Sequence, residues 1–134
     1  MARVNRPDSA FNTSRRAKET SELRAPNHLI WIRSLPSAVS GRMGCEAAHV
    51  SFPDRRFGKP ERGKSKKADD CWVLPLTADE HRDQHNCKQG GERDWWERHG
   101  IDATTLAARL WAVSEDTEAG ILIINTARSM ARGI

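Results

Sequence analysis

Residues 71–85 read CWVLPLTADEHRDQH, and their interpretation decides the fold. "CWVLPL", 71–76, has the β-branched and aromatic character of a short buried strand. Pro75 restricts that strand to an edge or an end, because proline has no N–H to donate to a ladder. "TADE", 77–80, is then a capping box: Thr77 can accept from the backbone N–H of Glu80, and the Glu80 side chain can reach back to the N–H of Thr77. A helix is expected from Ala78 to about Cys87, stopping at Gly90-Gly91. On it His81 and His85 stand at i and i+4, so their imidazoles leave one face about 6 Å apart. Two such nitrogens suit a divalent ion, which binds imidazole at about 2.0–2.1 Å. The same pair also reads as two surface histidines on a polar helix, so the preceding residues must arbitrate.

Upstream, "CEAAHVSF", 45–52, predicts a first strand over about 45–51 that carries Glu46 and His49. Alone, His49 reads as a core histidine satisfied by backbone. Two strands paired like a hairpin, with a helix packed across them, would bring His49 to His81 and His85. Between the strands lies "PDRRFGKPERGKSKKADD", 53–70, a loop of a length uncommon in a small domain unless it is functional or disordered. From Arg55 to Lys67 it holds seven basic residues, Arg55, Arg56, Lys59, Arg62, Lys64, Lys66 and Lys67, against Glu61 alone. Such a patch attracts polyanions, because each neutralised phosphate releases condensed counterions. These seven are the candidate nucleic-acid contacts, and the alternative is a solvated loop with no partner.

The remaining sequence frames this unit. At 134 residues the chain suits one modest domain. With 37% hydrophobic and 30% charged residues, part of it is expected not to pack. Residues 1–27 are polar, basic and without sustained periodicity, and read as a flexible arm. "HLIWIRSLP", 28–36, opens the folded part. "ERDWWERHG" predicts a helix ended by Gly100, and Asp102 a cap for "ATTLAARLWAV", with Leu106, Leu110 and Val113 on one face. Residues 114–134 form a C-terminal extension expected to hold a helix, although "ILII" reads equally as a strand. The Trp95-Trp96 pair suits core packing better than base stacking. His99 reads as a C-terminal dipole partner, and His28 has no evident partner. Cys45, Cys71 and Cys87 make an odd number without CxxC spacing, against a disulfide framework or a four-cysteine zinc site. They read as ordinary thiols. No long apolar run and no leader pattern occurs, which predicts a cytoplasmic chain with no membrane span.

In combination, "CEAAHV", "GKPERGKSKKADDCWVLPLTADEHRDQH" and "GERDWWERHGID" resemble the HNH, or ββα-metal, endonucleases. Within these they are most similar to small phage and prophage proteins related to the RecA-dependent recombination-enhancement nuclease. The resemblance spans about residues 28–113. It implies an α+β fold with a small ββα-metal core and additional C-terminal helices. It further implies a hydrolase that cleaves DNA with a divalent metal (Mg²⁺, Mn²⁺ or Zn²⁺), linked to recombination or DNA processing. A recombinase filament is a possible partner. The alternative is a DNA-binding protein of the same fold that has lost cleavage.

By this resemblance His49 takes the general-base position and Asp70 the place of the residue that orients it, with Asp69 as a substitute. His81 and His85 take helix metal-ligand positions. Many members place a ligand immediately before the base, where this chain has Ala48. Either Glu46 or Asp54 then supplies the missing ligand, or His49 is itself a ligand and another group is the base. Relatives often clamp a structural zinc with two CxxC pairs. The matching positions here are Ser37 and Ser40, then Thr77 and Glu80, so no structural zinc is expected.

Overall fold

The structure is a computed structural model and describes residues 23–60, 68–87 and 91–132. Its elements, in order, are α1 (Pro26–Arg33), β1 (Cys45–His49), a 3-10 turn (Arg55–Phe57), β2 (Val73–Thr77), α2 (Ala78–Asn86), α3 (Gly91–Arg98), α4 (Ala103–Ala112) and α5 (Thr117–Ala131). The fold is α+β: among the described residues, five helices surround a two-stranded antiparallel sheet.

The strands pair from Cys45 opposite Thr77 to His49 opposite Val73. Pro75 faces Ala47 in this register, and its carbonyl accepts from Ala38 N–H at 2.9 Å. Both backbone faces of Pro75 therefore point away from β1, so the missing N–H breaks no ladder bond. Ala48, Val50, Val73, Leu74 and Leu76 are fully buried. With Trp31, Ile32, Trp95, Trp96, Leu106, Leu110 and Ile124 they form one core drawn from both strands and four helices. Burying each such side chain contributes about 1.5–3 kcal/mol.

Proline at N1 starts α1, where its locked φ suits the helix and its absent N–H is not needed. The capping box of α2 is present as expected: Glu80 N–H donates to Thr77 Oγ1 (3.3 Å), and Thr77 N–H donates to Glu80 Oε1 (2.9 Å). The Asp102 side chain accepts from Thr105 N–H, and that of Asp116 from Ala119 N–H, at the starts of α4 and α5. "ILII" is helical: Gly120 and Ile124, one turn apart on α5, are buried, while Ile121 and Leu122 face outward.

Several expectations are corrected. Residues 23–25 belong to the fold: Leu23 N–H donates to Asp69 Oδ1 (3.0 Å) and Asp70 N–H donates to Leu23 O (2.9 Å). Residues 1–22 lie outside the described part. The C-terminal segment is built into the core through Ile124 and through Gly120 against Trp31, rather than appended to it. His28 is 2% exposed, with Nδ1 2.7 Å from Ser114 Oγ and its ring edge-on to Trp111. The ring of His99 lies 4.3 Å from that of Trp95. Trp95 and Trp96 are core residues, as expected, set at 89° to each other.

The Ser37, Ser40, Thr77 and Glu80 positions converge. Ser37 Oγ donates to Glu80 Oε1 at 2.6 Å and accepts from the N–H groups of Val39 and Ser40. The Arg42 guanidinium reaches Thr77 Oγ1 and Glu80 Oε2. Burial alone would raise the Glu80 carboxyl, but these donors hold it below the usual range. Hydrogen bonds around one carboxylate thus join the 37–42 turn to the start of α2.

Candidate functional site

His49 ends β1 with its ring partly open to solvent, and Asp70 sits just before β2 with a 5% exposed side chain. Their separation, Nε2 to Oδ1, is 2.9 Å. The second Asp70 oxygen accepts from Ala25 N–H at 2.8 Å, and Arg24 Nη1 lies 3.6 Å from the first. Burial pushes the Asp70 carboxyl up, but the bonds from His49 and Ala25 and the nearby positive charge outweigh it and hold it below the ordinary range. An ionised carboxylate only accepts, so Nε2 of His49 carries the proton and the ring's lone pair is left on Nδ1. Asp69 is turned to Leu23 N–H. Asp70 is the side chain in contact with the imidazole.

On α2 the second group assembles. His81 Nδ1 lies 2.7 Å from Glu46 Oε1, and the His81 and His85 ring centroids are 5.3 Å apart. Glu46, His81 and His85 line one shallow hollow of about 220 Å³. Because the carboxylate accepts from Nδ1–H, the lone pair of His81 is on Nε2, the arrangement by which a carboxylate orients a metal-binding histidine from behind. Glu46, expected as a metal ligand, is instead the hydrogen-bond partner of His81. Among the described residues no three His, Cys, Asp or Glu side chains form a group that could hold an ion. Two imidazoles with one oriented carboxylate fit an ion that fills its remaining positions with water and phosphate oxygens.

The three imidazoles do not converge. Successive strand side chains point to opposite faces, so Glu46 and Ala48 share one face while His49 shares the other with Cys45 and Ala47. The contact between His81 and Glu46 places the helix histidines on the Glu46 face, whereas His49 turns to Asp70. The rise of the strand adds about 10 Å between residues 46 and 49. His49 is thus set apart from the imidazole pair. On the helix side, Ala48 presents only a buried methyl opposite Leu74.

The basic segment divides. Arg55 is exposed. Arg56 is held between Asp54 (2.6 Å) and Asp102 (2.9 Å). Lys59, expected at the DNA surface, is only 4% exposed, with Nζ 2.5 Å from Phe52 O and 5.9 Å from the Trp72 ring centroid. It closes the small turn in which Asp54 and Lys59 form a bridge. Asp54, the alternative metal ligand, is buried and hydrogen-bonded to Arg56 and Thr104. The bond from Arg56, then that from Thr104, holds its carboxyl far below the usual range despite burial. Arg62, Lys64, Lys66 and Lys67 lie outside the described residues.

Sequence reasoning missed Glu92 and Gln84. Glu92 accepts from Ser51 N–H (3.1 Å), Gln84 Nε2 (2.8 Å) and Trp96 Nε1 (3.2 Å). Gln84 Nε2 also lies 3.4 Å from His49 O. The two side chains hold the backbone on both sides of Val50 and so hold the end of β1 that carries His49. Burial raises the Glu92 carboxyl against these donors. The i, i+4 spacing of Glu92 and Trp96 was the available signal. Gln84 lies within HRDQH, where it reads as a spacer.

Comparisons of the chain with family models, with curated proteins and with solved structures gave no match. Among the described residues no helix is long and apolar enough to cross a membrane.

Proposed function

We propose that this chain is a ββα-metal endonuclease of the HNH type, hydrolysing DNA phosphodiester bonds with the help of a divalent metal ion. The observation that carries the reading is the 2.9 Å His49–Asp70 pair at the head of a strand–strand–helix unit. In this role His49 Nδ1 takes a proton from the attacking water. Asp70 holds the tautomer and stabilises the imidazolium that forms. Gln84 and Glu92 keep the strand end in place. Glu46 orients His81. His81 and His85 would hold the ion, and a bound ion would supply positive charge to phosphoryl oxygens of the strand presented to His49. Arg55 and the basic residues beyond position 60 meet neighbouring phosphates. The resemblance to phage recombination nucleases adds recombinational DNA processing, with a recombinase filament as partner, to this reading.

A specific observation favours a second reading, a DNA-binding protein of this fold without cleavage. Ala48 offers no ligand, and no three donor side chains group together among the described residues. Supercoiled plasmid with Mg²⁺, Mn²⁺ or Zn²⁺ separates the two. The expected result is nicking by the wild type, reduced at least about 100-fold in His49→Ala. Binding without nicking in any of these metals, with and without a recombinase filament, establishes the second reading instead.

A further inference from the structure

A cleft of about 450 Å³ opens between the loop after β1, helix α3 and the start of α4. That volume is within the range of about 300–1,000 Å³ typical of small-molecule sites. Phe52, three residues beyond His49, forms one wall. Arg93 lies over it, with its guanidinium carbon 5.2 Å from the ring centroid. Trp96, Glu97, Arg56 and Asp102 complete the part of the lining that matters. Two arginines stand against two carboxylates, so the lining has no net formal charge. Arg56 is in addition already held by Asp54 and Asp102. An isolated phosphate therefore gains little here.

The chemistry suits a planar, neutral, hydrogen-bonding ring instead. We propose that the cleft is a nucleobase subsite, seating one unpaired base of a DNA strand that passes His49. The base stacks on the Phe52–Arg93 pair, either on the ring or on the guanidinium plane resting against it. The Glu97 and Asp102 carboxylates accept from amino groups on the base edge, and Arg93 donates to its carbonyl or ring nitrogen. A base in a duplex already has both faces stacked and its edge paired, so it enters only by being flipped out, at an added cost. The subsite therefore favours single-stranded DNA, displaced strands and unpaired ends. This assignment deepens the nuclease reading without depending on cleavage.

The test uses full-length His49→Ala protein and oligonucleotides containing 2-aminopurine, whose fluorescence responds to stacking. Expected results are a fluorescence change on saturation with single-stranded DNA and at least about tenfold weaker binding of the matching duplex. Phe52→Leu preserves apolar volume but removes the aromatic face. It should abolish the fluorescence change and weaken single-strand binding about fivefold to hundredfold while leaving the thermal midpoint in place. Arg93→Ala should weaken binding in the same direction. Single-strand binding with no fluorescence change, an unaltered Phe52→Leu variant, or no single-strand binding overturns the subsite. Wild-type plasmid nicking without the fluorescence change leaves the nuclease reading standing while the subsite falls. The fluorescence change without nicking does the reverse.

Discussion

At His49, strand alternation decides which chemistry is available. The imidazole faces Asp70, whereas His81 faces Glu46, so in the proposed function His49 has the part of a base rather than of a third nitrogen beside His81 and His85. Asp70 also holds Ala25 N–H, which gives it a structural as well as a chemical task. The two separate on substitution. Asp70→Asn keeps the shape but removes the charge that stabilises the imidazolium. The expected kcat for plasmid nicking falls about 10- to 100-fold with KM for DNA unchanged. A rise in KM with kcat intact would mean that Asp70 serves only the fold. His81 and His85 were legible in the sequence because i, i+4 spacing fixes their common face. Their relation to His49 was not, because it depends on which face of β1 the helix covers.

At the scale of the element, α5 shows how packing overrides propensity. In an exposed helix, Gly→Ala is favourable by about 1 kcal/mol. At Gly120 a Cβ would stand 2.7 Å from Cζ2 and 3.1 Å from Cη2 of Trp31, and 3.4 Å from Leu35 Cδ1. Both neighbours are buried, so neither can swing into solvent. Gly120→Ala is expected to lower stability by about 1–3 kcal/mol, read as a reduced urea midpoint at unchanged m. A raised midpoint would show that α1 and α5 have room to part. The ambiguity of "ILII" has the same origin: four apolar residues satisfy either period, and the Asp116 cap with the Gly120–Trp31 contact selects the helix. The capping box of α2 was readable because its partners are three residues apart. The share that Ser37 and Arg42 take in it was not, since they come from a turn about 40 positions away.

Across the molecule, titration links these contacts to stability. Asp54, Asp70, Glu80 and Asp102 all have folded carboxyl groups held below their ordinary values. A depressed folded pKa contributes stability above the unfolded value of about 4, and this is lost as pH falls toward the folded value. His28 acts earlier. Burial lowers its pKa, with Asp70 opposing, so the unfolded chain takes up its proton first, and stability falls as pH drops below about 6.5. Glu92, raised by burial, works the other way and relieves part of the loss as it protonates. The urea midpoint is expected to decline in two stages, one below about pH 6.5 and a steeper one below about pH 4. His28→Phe should remove the first stage and leave the second. If both stages persist in that variant, the early stage belongs to another group.

By itself the sequence determined the order strand, strand, capped helix, the helix ends at Gly100 and Asp102, and the face shared by His81 and His85. These features depend on residues within about one helical turn or one strand, where local hydrogen-bond geometry leaves few choices. The tertiary structure alone decided that His49 stands apart from the helix histidines, that Asp70 rather than Asp69 meets its ring, and that Glu46 stands behind His81. It also turned Lys59 inward, bound Arg56 between two carboxylates, and brought Glu92 and Gln84 to the end of β1. Each of those outcomes depends on sheet register and on packing between elements distant in the chain. Such contacts follow from which faces are buried together, and no spacing within a single element encodes that.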